Sequence, residues 1–140
     1  MFATSVQRWT YRKILKPLFF RQDPEDTHDR VLAVGKLLGR SAATRAVTSW
    51  MLSYRHPALV QNVLGMRMEN PVGLTAGFDK NAELTDILPA VGFGFAEVGS
   101  VTGEPCPGNP RPRLWRLPKS GGLVVWYGLK NDGCEAIAAR

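Results

Sequence analysis

The six residues Ala76-Gly77-Phe78-Asp79-Lys80-Asn81 bring a glycine, a carboxylate, an ammonium and an amide together at the end of a compact apolar run that begins at Asn70. Gly77 lets a flat ligand approach the backbone closely, and Lys80 supplies a cation. Ligands of α/β sheets and barrels bind at the carboxyl ends of strands, so a lysine emerging there is placed to meet an anion. A second apolar run, from Gly92, closes on Ser100, whose hydroxyl would lie beside the same ligand. The chemistry such a turn serves is the holding of a planar anion and the stabilisation of negative charge. A solvated lysine after an ordinary turn accounts for the same residues, and both readings stand at this point.

The elements that must position this turn follow from patterning. The run to Gly77 reads as a strand, Ala82 to Val91 as a helix and Gly92 to Ser100 as a buried strand, which together make a βαβ unit that closes right-handedly onto a parallel sheet. Val63 to Glu69 alternates and contains Gly65, as a short strand or hairpin does. The Pro- and Gly-rich segment from Gly103 to Arg113 cannot be helical and reads as a functional loop. Leu114 to Leu117 and Gly122 to Gly128 read as further strands, and Asn131-Asp132-Gly133 leads into a last helical fragment. Upstream, Asp23-Pro24-Glu25-Asp26 signals a helix start. Val31, Leu32, Val34, Leu37 and Leu38 then recur at helical spacing towards Gly39, with His28 on the side of Val31 and Leu32. A second helix, Ser41 to Tyr54, puts Ala43, Val47, Trp50 and Met51 on one face and ends at His56-Pro57.

With 140 residues and a net charge of +6 the chain suffices for one ordinary domain. Hydrophobic residues at 44% and charged residues at 21% argue against a disordered, collagen-like or disulfide-dense chain. Cys106 and Cys134 show no metal-ligand spacing and read as reduced thiols, so no metal is expected. Every apolar run is interrupted before the roughly 18 residues that a spanning helix needs. Arg8, Arg12, Lys13, Lys16 and Arg21 precede the first acid, Asp23, and alternate with Trp9, Tyr11, Ile14, Leu15, Leu18, Phe19 and Phe20. As a helix this segment has a basic and an apolar side and suits an anionic membrane surface. A mitochondrial presequence and a helix packed on its own domain share the composition. A nucleic-acid-binding arm does too, but no recognition motif accompanies the charge, so no nucleic acid is expected as partner.

Three blocks, Asn70 to Asn81, Gly92 to Thr102 and Pro107 to Pro118, closely resemble the class 2 dihydroorotate dehydrogenases in order and spacing, and Asp23 to His28 resembles that class's N-terminal helical extension. The resemblance implies an α/β fold. Residues 57–140 would be the N-terminal part of a (β/α)8 TIM barrel with FMN at its carboxyl face. Residues 1–56 would be a small helical, membrane-associating subdomain with a quinone tunnel. It also implies that Ala76, Gly77, Phe78, Asp79 and Lys80 line the flavin and that Ser100 contacts it. Lys80 would also meet the orotate carboxylate, while Val125, Trp126, Tyr127, Gly128 and Leu129 cover the pyrimidine. His28 and Arg116 would bracket the quinone head group. Where the family carries an Asn-rich pyrimidine-contacting stretch this chain has Val125, which lacks an amide; Asn131 supplies one if the loop shifts by one residue. Trp126 reads either as an aromatic lid or as a core tryptophan.

The activity so implied is oxidation of (S)-dihydroorotate to orotate in de novo pyrimidine synthesis, with FMN taking the hydride and quinone as terminal acceptor. The enzyme would be a monomer, peripheral to the cytoplasmic face of a bacterial inner membrane or, alternatively, to the mitochondrial inner membrane. The class 2 base serine is expected beyond Arg140, neither cysteine aligns with the class 1 base, and a barrel needs about 250 residues. The chain is therefore expected to be an incomplete portion, inactive by itself. Two other readings are a non-catalytic membrane-surface module and a different FMN-dependent barrel oxidoreductase.

Overall fold

The computed structural model describes residues 2–140, with side chains described from Ser5 onward. The basic leader is helical: α1 (Phe2–Thr10), one π-helical turn (Tyr11–Leu15) and α2 (Lys16–Phe20). The wide turn lies where Pro17 lacks an N–H and its ring crowds the carbonyl of Lys13, four residues earlier. Helix α3 (Pro24–Gly39) starts as its sequence dictates, Asp23 Oδ1 accepting the N–H groups of Glu25 and Asp26 at 2.8 and 3.1 Å. Helix α4 (Ala42–Leu52) is capped by Ser41, whose Oγ accepts the Thr44 N–H at 3.1 Å. No helix among the described residues is long and apolar enough to cross a membrane.

The chain forms two compact units, Met1–Val31 with Pro110–Trp126, and Leu32–Asn109 with Tyr127–Arg140. In the first, β5 (Leu114–Leu117) and β6 (Gly122–Val125) form an antiparallel hairpin, Leu114 opposite Val125 and Leu117 opposite Gly122.

In the second unit, β1 (Gln61–Val63) and β2 (Met66–Met68) form a hairpin through Leu64 and Gly65, both at positive φ as a tight two-residue turn requires. Strands β3 (Gly73–Leu74) and β4 (Phe95–Ala96) pair in parallel, and α5 (Leu88–Val91) lies between them in the chain, so the βαβ unit is present. Its core is Leu84, Ile87, Leu88 and Ala90, with Leu32, Leu38, Leu74 and Phe93 packed against it. Asn70 ties the unit together, donating to the Gly92 carbonyl at 3.0 Å and accepting from the Val72 N–H at 2.9 Å. The chain closes with α6 (Cys134–Ala138).

Two expectations need correction. The helix expected from Ala82 is confined to Leu88–Val91, because Ala82 sits at φ +55° and the Asp79 carboxylate takes the N–H groups of Glu83 and Leu84. The strand expected from Gly92 to Ser100 is paired only at Phe95 and Ala96, and Phe95 is exposed, since among the described residues β4 has one neighbouring strand. The apolar positions Val34, Leu37, Val47, Trp50 and Met51, which recur at helical spacing, are exposed, while Thr48 is the buried position of α4. The described strands form three two-stranded sheets and no closed barrel.

Candidate functional site

The Gly77 turn follows β3 directly. Its backbone is fastened to the end of the β4 segment, with Gly77 N–H donating to the Gly99 carbonyl at 3.0 Å and Gly99 N–H to the Asp79 carbonyl at 3.3 Å. The turn and Ser100 therefore lie at one strand end, as the parallel pairing requires. Gly77 has φ +100°, and a Cβ built there would meet no atom within 4 Å. The glycine faces open space. Ala76, Phe78 and Ser100 are exposed beside it.

Asp79 and Lys80 are adjacent and fare oppositely. Asp79 is fully buried, with Oδ1 accepting the Glu83 N–H and Oδ2 the Leu84 N–H, both at 2.8 Å. Its carboxylate is a local cap, so only its backbone can face a ligand. Lys80 is half-buried; its Nζ donates to the Gly77 carbonyl at 2.7 Å and lies 4.0 Å from the centroid of the Tyr127 ring. The ammonium is thus held over the glycine turn.

Tyr127 is buried, whereas Gly128 and Leu129 are exposed. Asn131 is 3% exposed and its amide is hydrogen-bonded throughout. Nδ2 donates to the Leu129 carbonyl at 2.7 Å and to Thr102 Oγ1 at 2.9 Å, while Oδ1 accepts the N–H groups of Gly133 at 2.9 Å and Thr102 at 3.2 Å. An amide offers two donors and one oxygen acceptor with two lone pairs, so these bonds use the Asn131 side chain to brace the loop. Val125 and Trp126 belong to the other unit and are both exposed.

That first unit also contains His28 and Arg116. Arg116 donates to the Gln22 carbonyl at 2.7 Å and to Thr27 Oγ1 at 3.2 Å and stacks 4.9 Å from the Phe20 ring centroid. His28 lies two helical positions from Arg30, with Nδ1 3.3 Å from Asp29 Oδ1. Sequence reasoning missed the dominant feature here. Glu25, which in sequence is only part of a helix start, is 2% exposed and paired with buried Arg113 at 2.7 Å and with Arg111 at 3.1 Å. Arg111 also reaches Asp26 at 2.9 Å and Asp29 at 3.2 Å. The hydrogen bond to Asp26 is the main reason the Arg111 guanidinium binds its proton more tightly than usual; attraction to Glu25 and Asp26 adds to it and desolvation opposes it. The available signal was charge: an acid-rich Asp-Pro-Glu-Asp start and a basic Arg-Pro-Arg loop each need a partner.

With this geometry in hand, comparison with known proteins is decisive. The sequence profile of the dihydroorotate dehydrogenase family matches residues 58–140, which include the Gly77 turn, Ser100 and Tyr127. The chain belongs to the dihydroorotate dehydrogenase family. It is 42% identical over 130 residues to the dihydroorotate dehydrogenase (quinone) of Methylococcus capsulatus, covering 93% of this chain and 37% of that one. It is 47% identical over 131 residues to the protein of the same name from Gloeobacter violaceus, covering 91% and 36%. Among solved structures it is similar to a DHODH from Eimeria tenella in complex with ferulenol, at 35% identity and a TM-score of 0.68, over 84% of this chain and 29% of that one. The chain thus spans about a third of the length of the curated dihydroorotate dehydrogenases it matches.

Proposed function

We propose that this chain is the portion of a quinone-dependent dihydroorotate dehydrogenase that forms one wall of its flavin site, within a (β/α)8 barrel. The reaction is oxidation of (S)-dihydroorotate to orotate in pyrimidine biosynthesis, with quinone as final acceptor. The observation that carries the reading is the ammonium of Lys80 fixed above the open Gly77 turn, whose backbone is fastened to the strand end that presents Ser100.

The residues present fit FMN. A flat ring system needs close access to backbone, and Gly77 at φ +100° leaves that space clear. Ala76, Gly77, Phe78, the Asp79 backbone, Lys80 and Ser100 would hold it, and FMN supplies the hydride acceptor there. Lys80 binds the carboxylate of dihydroorotate and offsets the charge gained on reduction. Tyr127, Gly128 and Leu129 lie on the substrate side. Arg116 and His28 serve the quinone head group, Arg116 being a donor already oriented by Gln22, Thr27 and Phe20. The full-length protein should be yellow as purified and reduce a soluble quinone only when dihydroorotate is supplied. A colourless protein, or one indifferent to dihydroorotate, refutes the reading.

The leader adds a membrane surface. The leader, α1, the π-helical turn and α2, exposes Trp9, Tyr11, Ile14, Leu15, Leu18 and Phe20 among Arg8, Arg12, Lys13, Lys16 and Arg21, a composition that binds anionic lipid peripherally. We place the enzyme, as a monomer, on the cytoplasmic face of a bacterial inner membrane. Liposome binding with and without residues 1–21, at low and high salt, tests this: removal and salt should each weaken binding, and equal binding in all four conditions excludes it.

A further inference from the structure

We infer that Tyr127 is a positioning residue for Lys80, its ring holding the ammonium where an anionic ligand arrives. The inference rests on the ligand-facing role proposed for Lys80. Lysine is a point charge on a flexible four-carbon stem, so a site that uses it must restrict where the charge sits. Two contacts do so here. The Gly77 carbonyl accepts from Nζ at 2.7 Å, and the Tyr127 ring centroid lies 4.0 Å from Nζ, within the range at which a ring quadrupole attracts a cation. A ring face orients an ammonium without cancelling its charge as a carboxylate would. The neighbouring carboxylate, Asp79, is spent on the N–H groups of Glu83 and Leu84.

The ring is itself fixed. Tyr127 is 8% exposed, and its carbonyl accepts the Asn109 N–H at 2.9 Å. A Cβ at Gly128, at φ +67°, would lie 2.7 Å from Asn109 Cγ, so any larger residue there would strain the backbone and displace the Asn109 amide. The Pro- and Gly-rich loop that presents Asn109 therefore sets Tyr127, and Tyr127 sets Lys80. On this reading Tyr127 acts on the substrate through the lysine rather than by covering the pyrimidine.

The test uses the full-length protein carrying Tyr127→Phe, which keeps the ring, and Tyr127→Leu, which removes it. Tyr127→Met, of similar bulk and without a ring, replaces the leucine variant if that one does not fold. Two quantities are read: the NMR shift of the Lys80 ε-methylene protons, moved upfield by a ring face above them, and the Kd for orotate. Tyr127→Phe should keep the upfield shift and bind orotate within about twofold of the parent, while Tyr127→Leu or Tyr127→Met should lose the shift and bind about 3- to 30-fold more weakly, the range for such a contact. Parent-like orotate binding without the ring, or a Tyr127→Phe variant as weak as Tyr127→Leu, overturns the inference. Lys80→Ala is measured alongside. If it leaves orotate affinity unchanged, the substrate-facing role of Lys80 fails, and the NMR shift alone then decides whether Tyr127 positions the lysine.

Discussion

The Glu25 cluster and the Gly77 turn both gather charged side chains, and they use them in opposite ways. Around Glu25 the charges are consumed by the chain itself: a buried acid is shared by Arg113 and Arg111, and Arg111 engages two more acids. At Gly77 one charge, that of Asp79, is buried on backbone N–H groups, and the other, that of Lys80, is held half-buried by a carbonyl and a ring beside an open glycine. Charges answered by opposite charges stabilise architecture. A charge held by a carbonyl and a ring face beside open space is placed to meet a ligand.

The largest effect that would sharpen this contrast is at Arg113. Replacing it with alanine leaves Glu25 buried with a weaker partner, and should cost about 3–5 kcal/mol of stability in the full-length protein by denaturant melts. A loss within the noise of a surface substitution would break the architectural half of the comparison. Asp79→Ala comes next, since two backbone N–H groups lose a charged acceptor in a buried turn; about 2–3 kcal/mol is expected.

How much of this was legible beforehand depended on range. The cap at Asp23, the β1–β2 hairpin and the βαβ order follow from local rules, and the structure shows them. The turn at Gly77 was legible as a turn, because a glycine closing an apolar run is a local signal, while the surroundings of Lys80 were not. The short α5 was not, since the rules for helix starts do not foresee a carboxylate five residues upstream capturing the N–H of Leu84. The Glu25–Arg113 pair, 88 residues apart, and the bracing role of Asn131 at Thr102 were invisible for the same reason. Polar residues look alike in sequence whether they serve a ligand or a loop; only the three-dimensional partners separate Lys80 from Asn131.

Two smaller effects refine the picture. Gly94 lies where a Cβ would come within 2.0 Å of the Asn70 carbonyl oxygen, a backbone atom that cannot step aside. Gly94→Ala should therefore cost about 1–3 kcal/mol through overpacking, read as a lowered melting temperature. Lys80→Ala should change stability by about 1 kcal/mol or less, the worth of a partly exposed cation–π contact. A large loss there would place Lys80 with the architectural charges and erase the distinction.

The central claim is tested most directly by titrating FMN into flavin-free full-length protein and its Lys80→Ala variant, with flavin fluorescence as the signal. The account predicts tight binding by the parent and at least tenfold weaker binding by the folded variant; equal affinity for the two proteins would contradict it.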